Sequence, residues 1–272
     1  MTFKINGFGS APAEKKETMP EYQREQKRIV PRKSVVQIRF PGKGIALNYY
    51  NDQFDLKVGD LVYVDGKLEG QLGRVTDVNY NFKIKLSEYK KVIAVADTEV
   101  HGQFHMAGSH FVTFDTTALP REQISLWFQA PAREDEEFIS STDEFSFRLE
   151  DLKGMKLNNT IAERGHEYYA ENRVRYICLN DDQGYAIVEG NQSYAIEFTY
   201  RNGEISHLIC DCPCSYTCKH EFAAMLQLRE TLEIIDKQYS DEFERTGYFA
   251  VINKGTLFAF AVDSKKTGGF TL

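Results

Sequence analysis

Cys210 to Met225 reads CDCPCSYTCKHEFAAM, and the rest of the chain is arranged around it. Three thiols and an imidazole fall there as Cys210-x-Cys212, a short gap, and Cys218-x-His220. Soft thiolates with one imidazole, four donors close in sequence, are what tetrahedral zinc takes in a closed structural site. Pro213, Ser215 and Thr217 favour a turn, so the second pair can double back on the first. From Lys219 to Lys237 there is no Gly or Pro, and Met225, Leu228, Leu232 and Ile235 recur at helical spacing, which predicts a helix with one apolar stripe. Reduced core cysteines or a C-x-C redox pair are the competing readings. Four candidate ligands packed beside Asp211, Pro213 and Lys219 favour the metal.

Upstream, Asn159 or Thr160 can cap a helix running to about Asn172. Strands are expected at Val174–Leu179, Tyr185–Glu189, Tyr194–Tyr200 and Ile205–Ile209. Asn202-Gly203, which accepts positive backbone angles at both turn positions, is the strongest hairpin signal. It joins Tyr200 to Ile205, so a strand end delivers Cys210 and Cys212 while the following helix delivers Cys218 and His220. Cys178 alternates with Val174 and Tyr176 and reads as core. His207 faces away from Cys210 in a strand and is left out of the ligand set.

The order C-x-C, loop, C-x-H at the mouth of a helix resembles the SWIM zinc finger, and the resemblance extends over roughly residues 157 to 240. Arg164-Gly165-His166-Glu167-Tyr168-Tyr169 and the strands after it look like the elements preceding the finger in bacterial SWIM proteins. The resemblance implies Zn2+ held by Cys210, Cys212, Cys218 and His220. It also implies an adaptor associated with DNA binding and protein contacts, often beside SWI/SNF-type ATPases. Cys214 is an extra thiol in the loop and leaves a rival set of Cys212, Cys214, Cys218 and His220.

The 272 residues are enough for about two domains. No apolar run approaches the roughly 20 residues of a membrane span, and no signal-peptide pattern opens the sequence. The expectation is a soluble, cytoplasmic protein whose five cysteines form no secreted disulfide framework. Net charge is −7, with a basic first third and an acidic remainder.

Residues 1–33 read as a polar leader, with Arg24, Lys27, Arg28, Arg32 and Lys33 forming a basic cluster able to follow a phosphate backbone. Residues 34–130 read as a β-rich domain with strands Val35–Phe40, Ile45–Tyr50, Leu61–Val64, Gln71–Tyr80, Asn81–Leu86 and Val92–Val95, separated by glycine turns. Val58-Gly59-Asp60-Leu61-Val62 followed by Gly70-Gln71-Leu72-Gly73-Arg74-Val75 resembles a KOW or Tudor-like barrel, a class that meets RNA, ribosomal or protein partners. Lys43 between Gly42 and Gly44 is no phosphate loop, because a strand and not a helix follows it. His101, His105 and His110 could form a second metal site, or lie on a strand and loop packed against the barrel. A strand is expected at His110–Phe114 and an apolar piece at Ile124–Phe128.

Residues 131–156 read as an acidic linker, and Gly247 to Leu272 as further strands, Tyr248–Ile252, Thr256–Val262 and Phe270 onward, within a 241–272 β-hairpin extension. That last stretch either pairs with an earlier sheet or begins a unit continued in a longer chain. The fold class expected is therefore α+β: a small N-terminal barrel-like domain, then a helix, antiparallel strands and a zinc-stapled C-terminal helix. No catalytic arrangement is recognisable, so no enzyme is expected. Two functions stand open. One is a nucleic-acid-binding adaptor using Arg32, Lys33, Arg39 and Lys43, with DNA ahead of RNA. The other is a protein-interaction scaffold for a partner such as a separate ATPase, with no small-molecule substrate in either case.

Overall fold

A computed structural model describes residues 31–132, 145–262 and 270–271. The leader before residue 31, with Arg24, Lys27 and Arg28, and the acidic residues 133–144 lie outside the described residues. The fold is mixed α and β with antiparallel sheets. No helix among the described residues is long and apolar enough to cross a membrane.

The first sheet is made of β1 (Ser34–Arg39), β2 (Ala46–Asn51), β3 (Leu61–Val64), β4 (Gly73–Asn79) and β5 (Val92–Ala96), in the order β2-β1-β4-β3-β5. Alternation along β1 sends Val36 and Ile38 inward onto Phe40, Val62, Val64 and Val75. The barrel expected from the sequence does not close. Edge strands β2 and β5 approach at Tyr50 and Lys91, where an isolated bridge forms and the Tyr50 N–H donates to the Lys90 carbonyl at 2.8 Å. The strand expected at Asn81–Leu86 is also absent. The Asn79 side chain accepts the Asn81 N–H at 2.8 Å, a local turn that ends β4 and competes with any continued ladder.

The second sheet is larger. After the short β6 (Gly102–Gln103) come β7 (His105–Ala107), β8 (His110–Thr113), β9 (Ser146–Arg148), β10 (Val174–Asn180), β11 (Gln183–Glu189), β12 (Ser193–Arg201), β13 (Glu204–Cys210) and β14 (Tyr248–Asn253). Their spatial order is β7-β8-β14-β10-β11-β12-β13-β9. The final strand, β15 (Phe270–Thr271), pairs with β6. The stretch at Tyr248 thus pairs with earlier strands: β14 lies between β8 and β10.

Helices cover this sheet on both faces. They are α1 (Arg121–Phe128), α2 (Asn159–Ala170), α3 (Lys219–Gln238), α4 (Ser240–Thr246) and α5 (Lys254–Leu257), which runs on into a π-helical turn at Phe258–Val262. One face of the sheet gives Ile177, Leu179, Val188, Ile196 and Val251 to a core with Phe222, Met225 and Leu228 of α3. The other gives Tyr176, Cys178, Ile187 and Ile252 to a core with Ile124 and Trp127 of α1, Leu257, and Leu61 and Ala96 of the first sheet. Burial on both sides accounts for the near-continuous apolar runs of β10, β11 and β14.

Two local readings change. A bulge between Val174 and Tyr176 places Val174 with Ile177 and Leu179, so Cys178 shares a face with Tyr176 only. Thr256–Val262, expected as a strand, is helical, because the Asn253 side chain accepts the Thr256 N–H at 3.2 Å and caps a helix start. Asn158, one residue before the expected cap, accepts the Ile161 N–H at 2.9 Å and starts α2.

Gly165 sets how closely α2 lies on the start of α3. A Cβ there would come within 2.6 Å of the Phe222 ring and 3.1 Å of the Lys219 carbonyl. Alanine in a helix interior normally gains about 1 kcal/mol over glycine, whereas overpacking a filled contact costs about 1 to 3 kcal/mol. Gly165→Ala is therefore expected to lower stability in urea denaturation, and an increase would show that the two helices can part without loss.

Candidate metal centre

The centre is built where a strand hands over to a helix. At the hairpin before β13, Asn202 and Gly203 have φ of 51° and 80°, the two positive angles this tight turn requires. β13 then pairs with β12 up to Cys210 opposite Ile196. Asp211 carries the pairing one residue further. Its N–H donates to the Ala195 carbonyl at 3.1 Å, and its carboxylate accepts the Ala195 N–H at 2.9 Å and the Gln129 amide at 3.0 Å. The backbone between Cys210 and Cys212 is thereby held in place.

On the helix side Cys218 is the N-cap of α3. Its Sγ accepts the Glu221 N–H at 3.5 Å, while the Glu221 carboxylate accepts the Cys218 N–H at 2.7 Å, a capping box with sulfur in place of a hydroxyl. His220 sits in the first turn, its ring stacked on Tyr194 at 4.4 Å and edge-on to Tyr168 at 5.4 Å. Gly190 makes room for this stack, since a Cβ there would reach 2.8 Å from the Tyr194 ring and 3.1 Å from His220 Nε2.

One donor atom from each of Cys210, Cys212, Cys218 and His220 lies within 4.8 Å of all the others. His220 Nδ1 is 3.6 Å from Cys218 Sγ and 3.9 Å from Cys210 Sγ. With metal–sulfur bonds of about 2.3 Å and metal–nitrogen bonds of about 2.0 Å, a tetrahedral ion separates its donors by about 3.5 to 3.8 Å. The observed spacings are close to those edges. Those distances make Nδ1 the nitrogen turned to the sulfurs, while Nε2 is buried without a hydrogen-bond partner among the described residues. The group could hold a metal ion, and its donor types fit zinc. Cys214, of the rival set, is exposed and outside the group. His207 is exposed at a positive φ of 51° and also stands apart.

The electrostatics of the bare donors are one-sided. The Cys218 thiol is pulled down to about 4, first by a hydrogen bond from Cys210 and then by His220 and the Glu221 N–H. Cys210 is driven up by that same hydrogen bond and by burial, and burial takes Cys212 up to about 12. Glu221 rises to about 8 through burial and the neighbouring Cys218 sulfur. Burial and crowding thus oppose ionising the three thiols together, a penalty that a divalent cation would offset.

The remaining sequence candidates lie elsewhere. Arg32, Lys33, Arg39 and Lys43 are exposed at the first sheet, with Arg32 over the Tyr80 ring at 4.4 Å. Arg39 lies opposite Arg74 on β4, a residue that only strand register brings into play. The three histidines do not gather. His101 is exposed and pairs with Glu99 at 2.9 Å, the His105 ring packs on Tyr239, and buried His110 meets the Val174 carbonyl at 3.1 Å. The Cys178 thiol, raised to about 11 by burial, belongs to the core. The chain matches no family model, no curated protein and no solved structure.

Two outcomes follow from this geometry. Burial holds Cys212 toward its protonated form, and the hydrogen bond to Cys218 with burial does the same for Cys210; thiols bind a metal as thiolates, so metal binding should release protons. Apparent affinity then rises with pH. Titration calorimetry in buffers of different ionisation enthalpy reads the count, and a value near zero would contradict the assignment. Cys210→Ser should abolish stoichiometric metal uptake while Cys214→Ser leaves it intact. The reverse pattern would select the rival set.

Proposed function

We propose that the chain is a SWIM-type zinc adaptor that holds nucleic acid, DNA in the first instance, on the exposed basic face of its first sheet, with zinc bracing the fold. One observation carries this reading. Arg32, Lys33, Arg39 and Lys43 are all exposed, and none has a carboxylate partner within 4.0 Å among the described residues, in a chain of net charge −7. In so acidic a chain, cations kept apart from carboxylates are available to phosphates. A structural role for the zinc is supported by donor number and burial. Four protein ligands fill a tetrahedral shell, and Cys212, Cys218 and His220 are buried. No catalytic role is assigned to any residue.

A second reading, a protein-interaction scaffold, is favoured by the groove beside the metal donors. It has a volume of about 880 Å³ and is lined by Phe145, Phe147, Leu157, Ile161 and Tyr216. Tyr216 is 87% exposed, an unusual place for a large ring. A separate SWI/SNF-type ATPase is the class of partner that the SWIM resemblance offers for such a surface.

Ionic strength separates the two. If four cations each neutralise one phosphate, the logarithm of duplex affinity should fall against the logarithm of salt with a slope of about −3 to −4. Replacing Arg32, Lys33, Arg39 and Lys43 together by Gln should flatten it. Binding that is indifferent to salt would overturn the nucleic-acid reading in favour of the scaffold.

A further inference from the structure

We propose that the cleft between the first sheet and the C-terminal helical segment binds single-stranded nucleic acid, with phosphates on Arg39, Lys43 and Arg74 and a base against Phe260. This rests on reading the first sheet as a nucleic-acid surface, and it narrows that surface to one strand form and one place.

The cleft has a volume of about 580 Å³. Arg39, Lys43, Arg74 and Thr76 contribute its polar lining, and Leu61, Leu72 and Phe260 its apolar lining. Arg39 and Arg74 stand directly opposite each other across β1 and β4, an arrangement in which like charges repel. Neither has a carboxylate partner among the described residues, and one Arg74 nitrogen donates to the Gly59 carbonyl at 3.0 Å, which fixes the guanidinium in place. The tight turn after β1, with Gly42 at φ 70° and the Lys43 N–H donating to the Phe40 carbonyl at 3.1 Å, carries a third cation to the same cleft. An anion between these groups would relieve the repulsion.

The aromatic wall decides which anion. The Phe260 ring stacks on Trp127 at 4.9 Å and 14°, with Phe128 at 5.7 Å, so it is held firmly while still lining the cleft. A rigid ring beside paired guanidiniums is the combination by which proteins hold unpaired strands, one binding the phosphate and the other stacking a base. In a duplex the base faces are covered by their neighbours and the ring would have nothing to stack. An acidic peptide would use the cations and leave the ring idle.

The test is fluorescence anisotropy with a labelled oligo(dT) strand and with a duplex of equal length. The strand should bind tighter, and Phe260→Leu, which keeps apolar volume but removes the stacking face, should weaken it about tenfold with the salt slope unchanged. Arg74→Gln and Lys43→Gln should each make that slope shallower by about 0.7. Far-UV circular dichroism and thermal melting check that each variant is folded, and Lys43, exposed in its turn, can be replaced without touching the core. Equal affinity for duplex with Phe260→Leu neutral would overturn the single-strand site and leave the basic-face reading standing. No binding of either nucleic acid would remove both.

Discussion

Three cysteine sulfurs and an imidazole held within 4.8 Å of one another are under an electrostatic constraint before anything else is asked of them. The hydrogen bond between Cys210 and Cys218, with burial, favours one sulfur over its neighbour: Cys218 goes down and Cys210 goes up. A divalent cation reverses that penalty at a stroke, turning a repelling cluster into a bond between the end of β13 and the start of α3. Structural zinc contributes an apparent 10 kcal/mol or more in small modules (about 10 to 16), while a whole domain is stable by only about 5 to 15 kcal/mol. An ion at this seam would therefore count as much as the rest of the fold's net stability. Around the donors, Asp211, Glu221, Tyr194 and Gly190 are spent on positioning them.

The eight-stranded sheet keeps two chemistries apart. Its first face packs α3, with the metal-ligating group at that helix's N-terminal end. Its second face packs α1, the C-terminal helical segment and the first sheet, at which Arg32, Lys33, Arg39 and Lys43 are exposed. The candidate metal group and the exposed cations thus lie on opposite faces of this sheet, so the proposed bracing and the proposed binding can be tested by separate variants.

What the sequence made legible was local. Cys210, Cys212, Cys218 and His220 could be picked out because four rare donors fell at turn-compatible spacing, and α3 because its apolar residues kept one helical period. Asn202-Gly203 worked for the same reason, two residues sufficing to set two positive φ angles. The long-range pairings were hidden. β14 meets β8 across about 140 residues of chain, and nothing in either strand announces its partner. Thr256–Val262 looked like a strand because it is a short apolar run, which periodicity alone cannot assign, and a cap at Asn253 makes it helical. Arg74 and Phe260 were passed over because one gains meaning only from strand register and the other only from its stack on Trp127.

The most direct measurement is X-ray absorption at the zinc edge on the protein as purified, with metal stoichiometry taken on the same sample. The account predicts one zinc per chain with about three sulfur neighbours near 2.3 Å and one nitrogen near 2.0 Å. A first shell dominated by oxygen and nitrogen, or a chain that folds fully with no zinc, would contradict it.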